Sequence, residues 1–274
     1  MNIGLIFDSI ILKPLATILV AIYHALSFLD IPYALGFSII ALTILIRLFL
    51  YPLITSQLKS SKKMQMLTPH LSKVRATHKG DAKRLQQETM KLYKEHGINP
   101  LAGCLPVLIQ MPIILGLYTL FQKIVSNGAS QSIEEVNKLV FVKSLELSSA
   151  WDLNFFGLPL GKGPSQVLTD VGIVVLFIPI ATGLLQLAMS KMLINPKPVE
   201  EKKIVLKEDK KEDFATVFQT QSLYIFPAMI GFFSYTFPIG LSLYWNTFTI
   251  FGIIQQYKIL GWGGLQEWMR KIKR

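Results

Sequence analysis

The feature that most constrains this chain is a 23-residue apolar segment, Tyr33 to Thr55, which contains a single charged residue, Arg47. At about 1.5 Å of rise per residue, a helix of this length covers the roughly 30 Å hydrocarbon core of a bilayer. An arginine at mid-membrane costs roughly 2.5 to 3.5 kcal/mol on insertion scales, so it usually faces water, a partner or a substrate path. Thr43 lies one helical turn before Arg47 and shares its face. The segment predicts a transmembrane helix with one polar face, and the alternative is that Arg47 snorkels to the membrane surface near Thr55.

The composition agrees with a membrane protein. Hydrophobic residues make up 51% of the 274 residues, and several other apolar runs occur along the chain. The expected fold class is therefore an all-α polytopic membrane protein. One cysteine, Cys104, excludes an internal disulfide and a cysteine-rich metal site. The N-terminus has no lysine-rich stretch and no A-x-A site, so we expect no removable signal peptide.

The N-terminal 32 residues contain a shorter apolar run that ends at Leu29. Thr17 and His24 recur on one face of it, a weak amphipathic pattern typical of a helix that lies in the membrane interface. We expect this helix at the outer surface, and the alternative is that residues 14–29 span the bilayer.

Five membrane spans are expected, and the charges of the intervening segments orient them. The spans are residues 33–56, 104–125, 167–190, 222–237 and 239–257. The balanced loop 126–166 is expected outside, whereas the basic segment 57–100, the Lys/Glu-rich linker 191–219 and the basic tail 258–274 are expected in the cytoplasm. This places the N-terminus outside and the C-terminus inside the cell.

Residues 57–100 carry ten basic and three acidic side chains and read as a soluble helical hairpin. Its turn is expected at His78 to Asp81 and its end at Gly97. A charge run is most often only a solvated face. Methionines, however, give a soft surface that adapts to varied apolar partners. The residues we expect to capture a substrate are Lys62, Lys63, Met64 and Met66.

Three intramembrane polar residues, Arg47, Gln110 and Gln186, all fall in the cytoplasmic halves of their spans, whereas the outer halves are almost purely apolar. Unpaired polar groups are costly in hydrocarbon, so we expect the three to converge on a hydrated groove that opens to the cytoplasm. The alternative is ordinary hydrogen bonding between helices. The last span adds a polar stripe of its own, formed by Ser242, Asn246, Thr249 and Gln256 beside Trp245.

No catalytic or cofactor motif occurs in the sequence. None of the four histidines lies in a span beside an acid, and there is no G-x-S-x-G, H-E-x-x-H or P-loop pattern. We therefore expect neither an enzyme, nor a metal site, nor a cofactor. A proton-coupled transporter would be expected to place Asp or Glu within its spans, and Asp170 near an outer end is the single candidate.

Four motifs resemble the YidC/Oxa/Alb family of membrane protein insertases. They are ALTILIRLFLYPL around Arg47, MKLYKEHGINP at the end of the hairpin, the junction NPLAGCLPVLIQMPIILGLY, and GLSLYWNTFTIFGIIQQY in the last span. The resemblance covers most of residues 33 to 260. Unlike Gram-negative members, the sequence shows no additional first span and no large periplasmic domain, and it resembles a short bacterial form. It also lacks the lipoprotein cysteine of many Gram-positive members.

The resemblance implies a five-helix core around a hydrophilic groove, with Arg47, Gln186 and Trp245 lining it, and an outer amphipathic helix in residues 1–32. It implies a chaperone-like insertase of the bacterial plasma membrane that works with nascent membrane proteins, ribosomes, and the Sec translocon and signal recognition machinery. A small-solute transporter or channel and a ribosome-anchoring protein are the alternatives. The basic tail residues would meet either ribosomal RNA or an anionic membrane surface; they are Arg270, Lys271, Lys273 and Arg274.

Overall fold

A computed structural model describes residues 3–78, 80–98, 105–125, 128–193 and 214–272, and these are mostly helical. The helices are α1 (Ile3–Phe7), α2 (Lys13–Phe28), α3 (Ala34–Met66), α4 (Thr68–Thr77), α5 (Ala82–Glu95), α6 (Leu105–Val125), α7 (Gly128–Asn137), α8 (Pro164–Val171), α9 (Phe177–Met192), α10 (Phe214–Thr236), α11 (Ile239–Leu260) and α12 (Leu265–Ile272). A two-stranded antiparallel hairpin, β1 (Asn154–Phe155) and β2 (Leu158–Pro159), lies between α7 and α8. The all-α class predicted from the sequence is confirmed.

Among the described residues, four helical segments are long and apolar enough to cross a membrane: Gly4–Phe28, Ala34–Met66, Leu108–Val125 and Ile173–Met192. In α10, the described side chains form an apolar stretch over Leu223–Thr236. The 22 residues of α11 give it a length of about 33 Å, and its polar side chains are turned toward other helices, which lowers its hydropathy but not its ability to span. The chain is a multi-pass membrane protein, and its five expected spans correspond to α3, α6, α9, α10 and α11.

The N-terminal helix is longer than the apolar run predicted. A π-helical segment, Asp8–Leu12, joins α1 to α2, and Lys13 N–H donates to the Asp8 carbonyl to close it. On α2, Thr17 Oγ1 accepts from the amide of Phe141 (3.1 Å) and a ring nitrogen of His24 lies 3.0 Å from the Leu145 carbonyl oxygen. The weak polar face therefore binds the loop after α7, and the placement of this helix in the outer interface stays a prediction.

Helix α3 does not end at the expected membrane boundary but continues to Met66 at the base of the hairpin. Helices α4 and α5 pack against each other beyond it. The expected start and stop signals of the hairpin are present: Asp81 caps α5 through the amide of Arg84 (3.0 Å), and Gly97 has a positive φ of 62°.

The third span starts later than the sequence pattern indicated. The pattern gave a single helix from Val167, but Gly172 adopts φ 82° and separates α8 from the span that starts at Ile173. Residues other than glycine rarely adopt such a φ, so the break between α8 and the span depends on glycine at position 172. The last two spans also differ at their ends: α10 begins at Phe214 and α11 continues to Leu260.

The hydrophobic core is concentrated at the end of the helices that lies away from the hairpin. It joins buried residues of α2, α3, α6 and α11 to the loop between α7 and α8, including Leu19, Leu35, Phe121, Trp151 and Leu241. This end of the spans is therefore closed by apolar packing.

Helix α7 folds back on the end of α6. Ser132 donates to the Ile124 carbonyl (2.8 Å), and Lys123 pairs with Glu135 at 2.7 Å. Hydrogen bonds from Lys123 and Lys138 lower the pKa of the Glu135 carboxyl. This contact fixes the outer loop to the spans.

Candidate intramembrane polar site

Arg47 is 1% exposed and lies between α3 and α11. Its Nε and Nη2 both donate to the Phe248 carbonyl, at 3.0 and 2.6 Å, and its Cζ lies 3.4 Å from the centroid of the Phe248 ring. None of the ion pairs among the described residues includes Arg47. The guanidinium is thus held by a carbonyl and an aromatic face, and its positive charge has no carboxylate to neutralise it there.

Helix α11 can approach this arginine because Gly252 has no side chain. A Cβ at Gly252 would meet the Arg47 guanidinium and would lie 3.1 Å from Met189 Cε. Arg47 therefore lies where α3, α9 and α11 meet.

Gln110 on α6 joins the same turn of α11. Its Nε2 donates to the Tyr244 hydroxyl at 2.6 Å, and the Tyr244 ring stacks on Phe248 at a centroid distance of 5.9 Å. Contacts thus run from Gln110 through Tyr244 and Phe248 to Arg47. Tyr244 and Phe248 were not among the sequence candidates, because an aromatic residue in an apolar span gives no sign that its hydroxyl or carbonyl is used.

Gln186 on α9 binds α11 on the other side. Its Oε1 accepts from Trp245 Nε1 at 3.2 Å, and its side chain is 8% exposed. The three polar residues predicted to converge are therefore each attached to one turn of α11, between Tyr244 and Phe248. Each of them forms a hydrogen bond to α11. Such bonding between helices is the alternative that the sequence analysis gave to a hydrated groove.

The remaining candidates on the spans differ in their surroundings. Thr43 is fully buried and donates to the Ile39 carbonyl of its own helix (2.6 Å). Asn246 Oδ1, by contrast, is buried without a hydrogen-bond partner among the described residues, as are both polar atoms of Gln256. Gln256 lies one turn beyond Gly252, toward the C-terminal end of α11, and is 1% exposed. Buried polar atoms are usually hydrogen-bonded, so these side chains of α11 have hydrogen-bonding groups that are available to a further partner.

A hydroxyl chain crosses three spans, in the halves that the sequence pattern predicted to lie outside and to be almost purely apolar. Thr182 Oγ1 lies 3.1 Å from Ser234 Oγ, which lies 2.9 Å from Ser242 Oγ. Ser242 was part of the predicted stripe on α11, but its partner is Ser234 on α10, which in turn contacts Thr182 on α9. The sequence pattern missed this chain because each of the three spans contributes only one small hydroxyl-bearing side chain to it.

The hairpin candidates lie where α3 leaves the bundle. Lys62, Lys63 and Met66 are exposed, with Met66 at 64%, and Met64 is half-buried. Gln65 donates to the Leu193 carbonyl and ties the base of the hairpin to the end of α9. These residues form a basic surface with a methionine on it.

The tail candidates fall only partly in the described chain. Arg270 is exposed on α12, and Lys271 belongs to the same helix. Lys273 and Arg274, like Cys104, lie outside the described residues. At the opposite end of the spans, a cavity of about 450 Å³ is lined by residues such as Tyr118, Lys162 and Phe237, far along the helices from Arg47.

Comparison with known proteins identifies the family. The model of the 60Kd inner membrane protein family matches residues 18–262. Membrane protein insertase MisCA of Bacillus subtilis is 35% identical over 82% of this chain and 70% of its own length. Membrane protein insertase YidC of Streptomyces avermitilis is 30% identical over 84% of this chain and 52% of its own length. The chain thus spans about half the length of several curated relatives that it matches.

The fold agrees with this. The crystal structure of an active YidC insertase with its first transmembrane domain resolved superposes with a TM-score of 0.51 at 25% identity, covering 86% of this chain and 46% of that one. The ALBINO3-like protein 1 of Arabidopsis thaliana chloroplasts is 31% identical over 93% of this chain. The chain therefore belongs to the 60Kd inner membrane protein family, the family of the YidC and ALBINO3 insertases.

Proposed function

We propose that this chain is a membrane protein insertase that receives nascent hydrophobic segments from the cytoplasm and releases them laterally into the bilayer. The observation that carries the proposal is Arg47, a buried cation without a carboxylate partner among the described residues, in the cytoplasmic half of α3. Retaining such a charge is costly unless it is used, and an acidic substrate tail is its electrostatic complement.

The process needs no covalent step. Once the polar tail has crossed, the hydrophobic segment partitions into lipid and gains roughly 0.8 kcal/mol per buried CH₂. A membrane potential contributes about 2.3 kcal/mol per 100 mV for each negative charge carried outward. The polar atoms on α11 that have no partner among the described residues, Asn246 Oδ1 and both amide atoms of Gln256, would supply hydrogen bonds to a crossing backbone.

The bundle is built for one-sided access. Apolar packing closes its outer half, while the polar side chains and the basic hairpin lie toward the other end. By the positive-inside rule we place the hairpin and the C-terminus in the cytoplasm and the N-terminus outside, in a bacterial plasma membrane. Ribosomes and the Sec translocon are proposed as partners that would approach this basic cytoplasmic side.

Site-specific photocrosslinking tests the proposal. A photoreactive residue at Gln110, which touches Tyr244, is expected to capture nascent membrane proteins during synthesis. The same residue at Leu184, a 57% exposed position on α9, is the matched control and is expected to contact lipid. Solute flux through reconstituted protein without any nascent-chain adduct at Gln110 would instead support a transporter.

A further inference from the structure

The C-terminal helix α12 is folded back against the end of a membrane span. Gly261 (φ 74°) and Gly263 (φ 49°) adopt left-handed conformations that let the chain reverse within the four residues between α11 and α12. The reversal brings Trp268 to Lys191, whose Nζ lies 4.3 Å from the centroid of the indole. Lys191 is the penultimate residue of the span Ile173–Met192, so α12 lies level with the point where that span leaves the apolar core.

Partly exposed aromatic rings mark the same level on the neighbouring helices. Tyr224 on α10 is 54% exposed, and its ring centroid lies 5.6 Å from Lys191 Nζ. Tyr257 at the end of α11 packs on Trp262 at 4.6 Å, and these rings are 46% and 41% exposed. Tryptophan and tyrosine concentrate at the membrane–water interface because their rings are amphipathic. Three helices therefore place α12 in the interface plane.

The sequence of α12 is that of a helix that lies in the membrane interface. Leu265 is buried against the protein, and Trp268 and Ile272 follow it at helical spacing. Arg270 is exposed, whereas Glu267 is the single acid of the helix. Three further basic residues occupy the last four positions of the chain. A short basic amphipathic helix with a tryptophan lies in the headgroup region and is attracted by anionic lipid.

We propose that α12 binds the anionic phospholipid headgroups of the leaflet in which α9 ends, with Trp268 and Lys191 docking it and Arg270 and Lys271 of the same helix supplying the charge. Near an anionic surface each basic residue adds about 1 kcal/mol, which is about a fivefold change in binding. Lipid charge would then hold the C-terminal helix against the cytoplasmic mouth of the bundle. This property is independent of the proposed insertase function, because it requires no substrate.

The test uses the full chain in nanodiscs of phosphatidylcholine alone or of equal parts phosphatidylcholine and phosphatidylglycerol. In a Cys104→Ser background, an environment-sensitive fluorophore is attached to Gln266→Cys, an exposed position on α12. We expect a blue shift of its emission in the anionic discs that salt reverses. Arg270→Gln with Lys271→Gln should weaken the lipid response about 25-fold, since two basic residues are lost. Lys83→Gln with Arg84→Gln on α5 removes the same charge from the hairpin and should leave the response unchanged.

Docking is tested separately. Trp268→Ala should diminish the blue shift in the anionic discs, whereas Phe28→Ala, which removes an 88% exposed ring on α2, should not. Emission that is equal in neutral and anionic discs would overturn the proposal. A shift that appears only when ribosomes are added would overturn it too, and would assign the tail to ribosomal RNA. Neither result would bear on crosslinking at Gln110.

Discussion

Gln255 on α11 donates from Nε2 to the Tyr51 carbonyl at 3.0 Å and to Thr55 Oγ1 at 3.1 Å, so one side chain clamps α3 on both sides of Pro52. A proline inside a helix removes one backbone hydrogen bond and bends the helix. Because α3 continues beyond Pro52 to Met66, the clamp sets the direction in which the hairpin leaves the bundle.

We expect Gln255→Leu to loosen the hairpin from the spans. Interhelical hydrogen bonds in membranes contribute roughly 0.6 to 2 kcal/mol, so the variant should unfold at a lower temperature in detergent and should insert substrates more slowly. Ile254→Leu changes the neighbouring, 51% exposed residue and serves as the control. Equal melting temperatures and insertion rates for the two variants would contradict a clamp.

Gly252→Ala should destabilise the protein because the added methyl would meet the Arg47 guanidinium. Overpacking of this kind costs roughly 1 to 3 kcal/mol. Gly183→Ala is the matched control, because its Cβ would lie at an ordinary 3.5 Å from the Pro227 carbonyl oxygen. The double variant with Arg47→Ala should lose less stability than the sum of the single variants, and strict additivity measured by thermal unfolding would disprove the contact.

Ser234→Ala should break both links of the hydroxyl chain between α9, α10 and α11. Each link is expected to contribute roughly 0.6 kcal/mol, so the loss in unfolding free energy should be about 1 kcal/mol, with little effect on substrate crosslinking. Thr119→Val removes an exposed hydroxyl that bonds only within its own helix and should be neutral. A comparable loss in both variants would show that the chain of hydroxyls adds nothing.

The Arg47 variants separate charge from structure. Arg47→Lys keeps the positive charge but loses the two-pronged contact with the Phe248 carbonyl, so it should retain the preference for acidic tails at a lower melting temperature. Arg47→Ala should impair acidic-tailed substrates more than neutral-tailed ones, and Arg47→Glu should be worse still. Arg47→Gln tests whether hydrogen bonding alone suffices.

Protease protection of a tail-charge series inserted into reconstituted vesicles is the measurement. If the four variants rank alike for acidic, neutral and basic tails, the role of Arg47 is packing or hydration and not attraction.

Deleting Met64 to Leu92 should leave the five spans folded but abolish insertion, because the hairpin packs chiefly on itself. A milder variant, Met66→Ser with Met90→Ser, removes exposed apolar surface without altering charge and should lower substrate capture. Met111→Leu, at an exposed position on α6, is the control. Normal insertion by the deletion variant would show that the hairpin is dispensable.

The sequence indicated the apolar helices and singled out Arg47, Gln110 and Gln186, which all contact α11, because long apolar runs and rare polar residues within them are strong signals in a sequence. It did not identify how these residues are satisfied. Phe248 contributes a backbone carbonyl and Tyr244 a hydroxyl from an apolar-looking segment, and both contacts depend on which face of α11 meets α3 and α6. The helix boundary at Gly172 was missed for a similar reason, since glycine is common inside spans and its φ is set by the packing around it.

The π-helical segment Asp8–Leu12 determines which side chains of the N-terminal helix face α6. In a regular α-helix, side chains four residues apart are rotated by about 40° relative to each other around the helix axis, and the wider turn of a π-helix reduces this rotation. Phe7, Ile11 and Leu15 consequently keep one line and all face Gly116 in the middle of α6, within 3.9 Å of where its Cβ would be. Removing one residue from the segment would rotate Phe7 off α6 by about 100° while leaving the apolar content of α2 unchanged. The length of this segment is thus constrained independently of its hydrophobicity.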